Sequence, residues 1–218
     1  KIREHQRINQ RVERWLDEHR PDVHVPVDSP AANFPLCELA KARGVRVVHL
    51  VAPQIWAWGR WRIRKLRRLT DLVLCLLPFE ERFFTKRRVP ARFIGHMLFD
   101  HPVDEAELAR RAAGFRAGDP RIAIMPGSRP AELEHNFPLL LDVFALIRAQ
   151  RPGAVGVVAA TTERVAEDLR TRIRARFPEG APIDVEVGQT DAVVYWSTLA
   201  LVKSGTVTLQ VARQERPM

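Results

Sequence analysis

Apolar residues recur along the chain with two alternating spacings. Residues 2–19 place apolar side chains at helical intervals between charged ones, which predicts an amphipathic helix. Residues 21–30 then predict a short buried strand that ends in a turn, and residues 33–44 predict a helix closed by a glycine. Residues 45–53 predict a second strand. Because strands that alternate with helices in this way are typical of βαβ units, the pattern predicts an α/β fold with parallel sheets.

The alternation stops near residues 98–104, where His, Pro and acidic residues replace the periodic pattern, and it then resumes. We therefore expect two domains, residues 1–100 and residues 101–218, neither with a complete set of strands. The chain begins with Lys rather than Met, and its last residues follow a strand-like run closely, so we expect a piece of a longer protein. Further strand and helix segments are predicted within residues 71–89, 91–100, 121–137, 139–148, 153–162, 164–177, 183–188 and 199–214.

Positive charge is concentrated in the first half of the chain. Residues 1–100 contain 20 Lys and Arg against 11 Asp and Glu, whereas residues 101–218 contain 15 of each. The excess is densest in residues 60–68, which carry six positive charges and follow closely on Trp56 and Trp58. This stretch is open to three interpretations: a nucleic-acid arm, a membrane-surface helix or the edge of an active site. In each case the first half is expected to meet the anionic partner.

Two cysteines, Cys37 and Cys75, stand in apolar surroundings and predict buried reduced thiols, which fits a cytosolic location. The histidines have no metal-ligand spacing, so no metal site is expected. No apolar run approaches the roughly 20 residues that a membrane-spanning helix needs, and no signal peptide is recognisable.

Three loops follow predicted strands, and ligands of parallel sheets bind beyond the carboxyl ends of strands. The first contains Asp28, which could act as a general base or simply cap the next helix. The second contains Gly127, Ser128 and Arg129 at a helix start, a combination suited to phosphate but also found in ordinary turns. The third, residues 204–206, presents hydroxyl and N–H groups. Neither glycine-containing loop matches a Walker A or a G-x-G-x-x-G pattern.

These loops, together with "PQIWAWG", "LPFE", "FIGH" and "PGSRPAE", resemble the lipid-A-disaccharide synthases, inverting glycosyltransferases of the GT-B type (family 19), over residues 8–218. The resemblance implies two Rossmann-like domains with a cleft between them, the first on the acceptor and membrane side and the second binding the UDP-sugar. It implies transfer of 2,3-diacylglucosamine from its UDP conjugate to the 6-hydroxyl of 2,3-diacylglucosamine 1-phosphate (lipid X). The product would be the β-1,6 disaccharide precursor of lipid A.

The resemblance also implies a location and partners. The enzyme would be cytoplasmic and peripheral to the anionic inner membrane, would use no metal or other cofactor, and would form a homodimer in its full-length form. Residues 60–68 would then hold anionic headgroups or the phosphate of a lipid acceptor.

Site residues follow from the same resemblance. Asp28 would take the proton of the acceptor hydroxyl, and Arg129 would stabilise the charge that develops on the UDP leaving group. Trp56 would wall the acceptor site, as would Trp58 unless both are ordinary core residues, and His96 would line the cleft. The residues implied around the acceptor loop, nucleotide and diphosphate are Asn33, Ser128, Glu132, Ser204, Gly205, Thr206 and Gln210.

The chain departs from the family pattern at several positions. Ala31 and Ala32 stand where the family usually has an acidic and an aromatic residue, and Gln210 stands where it usually has Glu, a ribose contact. The family's glycine-rich "GExSGD" loop is not in this chain. Two alternatives therefore stay open: another UDP-sugar GT-B enzyme or an epimerase, and a non-catalytic basic module that binds lipid or nucleic acid. Because no RRM, KH or helix-turn-helix signature is present, nucleic acid is not expected as a partner.

Overall fold

The computed structural model describes residues 2–100 and 102–218, with the backbone alone described at Ile2, Arg3 and His5. The chain divides into two compact units, Lys1–Asp100 and His101–Met218. Within the described residues each unit contains a parallel four-stranded sheet with helices packed on it, which confirms the predicted α/β class. The binding roles predicted for the two units stay predictions.

Unit 1 alternates strands and helices from its first residues. Its strands run parallel in the order β1-β2-β3-β4, so each βα connection leads to the neighbouring strand. Its elements are α1 (Ile2–His19), β1 (Val23–His24), α2 (Pro30–Ala42), β2 (Arg46–Leu50), α3 (Ile63–Leu69), β3 (Leu72–Cys75), α4 (Pro78–Thr85) and β4 (Ala91–Phe93). Two short 3₁₀ turns, Arg60–Arg62 and Met97–Phe99, lie between or after these elements.

The first predicted strand is short, as its sequence indicates, but it is more exposed than predicted. Only Val23–His24 pair regularly with β2, and one further bridge joins Val27 to Leu50. Pro26 has no N–H to give to the ladder, and β1 stands at the edge of the described sheet. Val23, Val25 and Val27 are all more than 40% exposed. The short strand predicted within residues 21–30 is present, but the prediction that it is buried is wrong.

The core of unit 1 lies between its helices and its sheet. Leu16 of α1, Cys37 of α2 and Leu66 of α3 pack with Val47 and Val73 of the two central strands. Cys37 and Cys75 are free and buried, which confirms the prediction of reduced thiols. Burial raises the pKa of the Cys37 thiol to about 11 and that of Cys75 to about 12, so neither is a reactive thiolate at neutral pH.

Unit 2 has the strand order β7-β6-β5-β8, again all parallel. The chain therefore moves outward from β5 through β6 to β7, then returns to place β8 on the other side of β5. Its elements are α5 (Glu105–Ala112), β5 (Arg121–Met125), α6 (Pro130–Gln150), β6 (Val155–Ala160), α7 (Glu163–Arg176), β7 (Ile183–Val187), α8 (Thr190–Trp196), β8 (Leu199–Val202) and α9 (Thr206–Arg213).

This reversal of direction creates a switch point between β5 and β8, where the loops that follow the two strands diverge to opposite faces of the sheet. Open parallel sheets bind ligands in the crevice at such a point. The periodicity of the sequence missed one element of this unit, α8, because Ala192, Val193, Val194 and Trp196 are all buried. A helix that is apolar on nearly every side has no amphipathic pattern to detect.

No helix in the described ranges combines the length and apolar composition needed to cross a lipid bilayer. The longest, α6, has 21 residues and carries charged side chains along its length.

Candidate functional site

A pocket of about 320 Å³ lies at the carboxyl ends of β5 and β8, at the switch point of unit 2. It is built from the β5–α6 loop and the β8–α9 loop, which are distant in sequence. All the unit-2 residues that the sequence singled out line it: Ser128, Arg129, Glu132, Ser204, Gly205, Thr206 and Gln210. The pairing of β5 with β8 is what brings these two loops together.

Glu132 is the centre of the hydrogen bonding in this pocket. Its Oε1 accepts from Lys203 Nζ at 2.9 Å and from Arg129 Nη1 at 3.0 Å. Its Oε2 accepts from the backbone N–H groups of Ser128, at 3.3 Å, and Arg129, at 3.4 Å. One carboxylate in the first turn of α6 thus ties the β5–α6 loop to the end of β8.

These contacts hold Glu132 ionised. The Lys203 ammonium is the main cause, and the backbone N–H groups of Ser128 and Arg129 add to it, so the pKa of Glu132 falls to about 2. The carboxylate side chain is only 17% exposed, and its charge is matched by that of Lys203. Its acceptor positions are filled by protein donors.

Gly127 makes room for this arrangement. Its φ of +109° is a conformation that residues with a Cβ rarely adopt, and a Cβ at this position would lie 2.6 Å from Glu132 Oε2. The glycine that the sequence indicated for a tight turn is therefore needed twice, for its backbone conformation and for the close approach of the carboxylate.

The β8–α9 loop supplies the residue that the sequence reading missed, Lys203. Its Nζ bonds Glu132, lies 3.9 Å from the position of a Cβ on Gly205, and lines the pocket. A lysine at the carboxyl end of a strand, directly before the small-residue loop, was the available signal. At the start of α9 the Thr208 hydroxyl donates to the Gly205 carbonyl at 2.7 Å, which closes the first turn.

Gln210 lies one turn further along α9, where its Nε2 approaches Asp191 Oδ1 at 3.4 Å. Gln214 donates to the same carboxylate oxygen at 3.3 Å and to the Asp191 carbonyl at 3.2 Å. Asp191, in the first turn of α8, thereby links α8 to α9, and the sequence gave no indication of it. The glutamine at position 210 is thus partly engaged by the protein itself.

The Asp28 loop of unit 1 packs on the carboxyl end of β2. The backbone N–H of Asp28 donates to the Leu50 carbonyl at 3.0 Å. Asn33 Nδ2 donates to the carbonyls of Val27, at 2.7 Å, and Asp28, at 2.9 Å, so Asn33 holds the loop through its backbone. Helix α2 begins at Pro30 with Ser29 as its N-cap residue. In the described part of the chain the Asp28 carboxylate forms no hydrogen bond, so the alternative role of helix cap is excluded.

Backbone strain collects at this end of the sheet. Asp28 has a φ of +49°, Ser29 of +26° and Val51 of +63°, although none of them is glycine. Positive φ costs most for a β-branched residue such as Val51, and such strain is concentrated at functional sites in proteins. The local strain marks the loop as a candidate site independently of its sequence motif.

His49 supports the Asp28 loop from below, and the sequence reading did not single it out. It is fully buried on β2, and its Nε2 donates to the Asp28 carbonyl at 3.0 Å. Burial lowers the pKa of His49, which keeps the ring neutral with its proton on Nε2. Its Nδ1 is buried without a partner among the described residues.

Trp56 and His96 have local partners in unit 1. The Trp56 indole Nε1 donates to Glu80 Oε1 at 2.9 Å, and its ring meets Phe79 edge-on at 4.9 Å. Buried Glu80 also accepts from the Leu77 N–H at 3.0 Å. His96 Nδ1 accepts from the Leu98 N–H at 3.1 Å. Both residues are half-buried, so each keeps an accessible ring edge or face.

The basic segment, residues 60–68, comprises the 3₁₀ turn Arg60–Arg62 and all of α3 except its last residue. Leu66 is buried in the core of unit 1, whereas Trp61 is 74% exposed. Arg62 stacks its guanidinium over the rings of Trp58 and Trp61, at 5.0 and 5.7 Å. Lys65 and Arg68 pair with Glu38, while the remaining basic side chains of the segment, Arg60, Arg64 and Arg67, are exposed.

Among the described residues no group of three or more His, Cys, Asp or Glu side chains is arranged to hold a metal ion.

Comparison with known proteins gives a consistent result along the whole chain. A sequence model of the family described as lipid-A-disaccharide synthetase matches residues 1–218. A lipid-A-disaccharide synthase from Anaeromyxobacter sp. (strain K) is 42% identical over 205 residues, which cover 92% of this chain and 52% of that protein. The chain therefore spans about half the length of the curated relative it matches.

Solved structures with the same fold have much lower sequence identity. The S. aureus MnaA–UDP co-structure superposes with a TM-score of 0.68 at 12% identity, covering 99% of this chain and 62% of that one. The UDP-GlcNAc 2-epimerase from Neisseria meningitidis bound to UDP-GlcNAc gives 0.64 at 12% identity, with 98% and 63% covered. At this identity the likeness establishes the fold alone.

Proposed function

Since the chain belongs to the lipid-A-disaccharide synthetase family, we propose that it forms the catalytic half of a glycosyltransferase that makes the lipid A disaccharide. The donor would be UDP-2,3-diacylglucosamine and the acceptor lipid X, with inversion at the anomeric carbon. The observation that carries this proposal is the unit-2 pocket, in which two strand-end loops of family sequence meet at the switch point of the sheet.

The donor belongs in this pocket on chemical grounds. A nucleoside diphosphate needs cationic and N–H donors for its phosphates, and polar groups for its ribose. The cationic and N–H donors are offered by Arg129, Lys203 and the first turn of α9. Gln210 offers an amide for a ribose hydroxyl. The Arg129 side chain is 80% exposed and contacts Glu132 through Nη1, so its other guanidinium N–H groups can approach the leaving diphosphate as charge develops there.

The acceptor base is Asp28 in this proposal. Its carboxylate is exposed on a strained loop that His49 and Asn33 hold through the backbone. As the acceptor 6-hydroxyl oxygen attacks the anomeric carbon, its proton passes to Asp28 and the bond to the UDP oxygen breaks. A carboxylate with no hydrogen bond to the protein keeps both oxygens available for this transfer.

We propose further that the basic segment, residues 60–68, meets an anionic surface, which would place the enzyme on the cytoplasmic face of the inner membrane. The exposed rings of Trp58 and Trp61 and the exposed arginines near them support a shallow contact with headgroups rather than deep insertion, because Leu66 is buried in the core. A homodimer of the full-length protein stays a prediction.

A chimera tests the proposed reaction. Residues 1–218 would replace the matching half of the Anaeromyxobacter enzyme, and disaccharide formation from labelled lipid X would be followed by chromatography. We expect turnover by the chimera and a loss of at least about 100-fold in kcat for Asp28→Ala and for Arg129→Ala, the range typical of a general base and of a leaving-group contact.

The matched control is Asp22→Ala, an exposed carboxylate before β1 that should leave kcat unchanged. Each variant would be checked for an unaltered circular dichroism spectrum. A folded Asp28→Ala or Arg129→Ala variant that keeps more than a tenth of the activity would remove that residue from its role.

The alternative within the same fold is an epimerase or another enzyme that acts on a UDP-sugar. Structural likeness to UDP-GlcNAc 2-epimerases does not favour it, since the identity is only 12%. Conversion of UDP-GlcNAc to its 2-epimer by the same chimera, with no disaccharide formed, would reverse the assignment.

A further inference from the structure

The β5–α6 loop has the features expected of a phosphate-binding turn, yet its donors are already engaged. The N–H groups of Ser128 and Arg129 both point to Glu132 Oε2. Pro130, the first residue of α6, has no N–H to offer. An anion that approached these groups would have to displace a carboxylate that belongs to the loop itself.

The β8–α9 loop is different, because among the described residues no carboxylate accepts from its backbone N–H groups at the start of α9. The first N–H groups of α9, at Thr206 and Val207, have no acceptor within the helix. Lys203 Nζ lies beside Gly205, directly before these groups, and uses one of its three donors on Glu132 Oε1. The Ser204 and Thr206 side chains line the same side of the pocket.

We propose that Lys203 is the principal cationic ligand of the donor diphosphate, and that Glu132 is a positioning residue that holds the lysine in place. The diphosphate would lie against the first turn of α9 rather than on the backbone of the β5–α6 loop. This inference rests on the proposed function, since it assigns residues within the same nucleotide pocket.

Preorganisation distinguishes Lys203 from Arg129. The Lys203 side chain is 31% exposed and is tied across the pocket to a carboxylate that is itself held by three other donors. The Arg129 side chain is 80% exposed. A half-buried cation beside the helix start loses little side-chain entropy when an anion binds, whereas the exposed Arg129 side chain loses more, although its Nη1 also contacts Glu132. Lys203 therefore suits ground-state binding, and Arg129 suits a contact made during the reaction.

Titration of the chain with UDP and with uridine separates the phosphate contact from the rest of the nucleotide. We expect Lys203→Met to weaken UDP binding about 10- to 100-fold, the usual effect of losing a charge-assisted hydrogen bond, and to leave uridine binding unchanged. Lys203→Arg should restore most of the UDP affinity. Because an ammonium–phosphate contact is screened by salt, UDP binding should also depend less on ionic strength in Lys203→Met.

The matched control is Arg151→Met, which removes one positive charge at the far end of α6 and should change neither affinity. UDP binding by Lys203→Met within twofold of the unsubstituted chain would overturn the inference, as would an equal loss of uridine binding. Failure of the unsubstituted chain to bind UDP would contradict the proposed function instead, so the two failures are distinguishable.

Discussion

At the scale of single residues, the backbone at Gly127 leaves no room for a Cβ beside Glu132. The glycine combines a positive φ with an approach that leaves no space for a methyl group. Glu132 cannot turn away without releasing Lys203 and the two N–H groups of its own loop. The conformation of one backbone position thus controls the arrangement of three polar groups.

Gly127→Ala tests this coupling. We expect a loss in the free energy of unfolding about 1 kcal/mol larger than that of Gly188→Ala, measured by urea denaturation. Gly188 is the matched control, because its φ is +66° but a Cβ there would meet nothing within 4 Å. The control carries only the cost of positive φ. Equal losses for the two variants would show that the contact with Glu132 costs nothing to break.

A second residue-scale feature is the response to acid of buried His49 and half-buried His24, whose pKa values are both lowered, chiefly by burial. The unfolded chain accepts a proton on each ring near pH 6.5, whereas the folded chain resists it. The stability due to the neutral rings is therefore fully present above pH 6.5 and is lost as the pH falls below that value.

We expect the free energy of unfolding of unit 1 to fall between pH 7 and pH 5, with a slope of at most about 1.4 kcal/mol per pH unit for each histidine. Replacing His49 by Gln should reduce this slope while keeping an amide donor for the Asp28 carbonyl. Urea denaturation across the pH range measures it. A slope unchanged in His49→Gln would mean that other groups dominate the acid response.

At the scale of elements, α3 shows how one short helix serves both the core and the surface. Leu66 and Leu69 are buried, so the helix is fixed to unit 1 and the arginines between them are directed outward. Four of the six positive charges of the basic segment lie on this anchored helix, and the other two lie in the 3₁₀ turn before it. The apolar area needed for membrane insertion is already used in packing.

Vesicle sedimentation tests the role of this face. We expect the triple change Arg60→Gln, Arg64→Gln and Arg67→Gln to weaken binding to vesicles that contain about 30% anionic lipid. The expected loss is at least about tenfold, because each charge contributes about 1 kcal/mol. Because salt screens contacts between charges, the binding of the triple variant to these vesicles should depend less on ionic strength than that of the unsubstituted chain.

The control removes three charges from α1 of the same unit by replacing the exposed Arg7, Arg11 and Arg14 with Gln. If the two triple variants lose binding equally, net charge rather than the basic segment governs the contact. Binding to zwitterionic vesicles that equals binding to anionic ones would argue against a headgroup interaction altogether.

At the scale of the whole molecule, the chain consists of two units with separate cores, and the pocket proposed for the nucleotide lies wholly within residues of the second. A ligand that binds one folded unit stabilises that unit by mass action. The location of the pocket therefore predicts that UDP stabilises unit 2.

UDP at about 100 times its dissociation constant should stabilise unit 2 by about 2.7 kcal/mol. Hydrogen exchange followed by mass spectrometry should show slower exchange in peptides that contain the β5–α6 and β8–α9 loops. Uridine at the same degree of saturation should protect the β8–α9 loop less. Slower exchange confined to unit 1 would place the nucleotide elsewhere.

The sequence by itself determined the alternation of strands and helices, the parallel α/β class, the burial of Cys37 and Cys75, and the positions of the three strand-end loops. These features are local, because periodicity and turn residues act over a few positions. Signals of this kind fail where burial is complete, as in α8, or where an edge strand stays exposed, as in β1. The roles of Asp28 and Arg129 come from family resemblance and stay predictions.

Only the tertiary structure decided which loops share a pocket. Glu132 and Lys203 are 71 positions apart, and they meet because β8 pairs with β5 after the chain reverses direction. The same applies to His49 beneath Asp28, which lies 21 positions away on the next strand. Strand order sets these contacts, and it depends on the packing of whole elements rather than on any local pattern. The sequence could therefore indicate the loops, while the sheet determined which charges face each other.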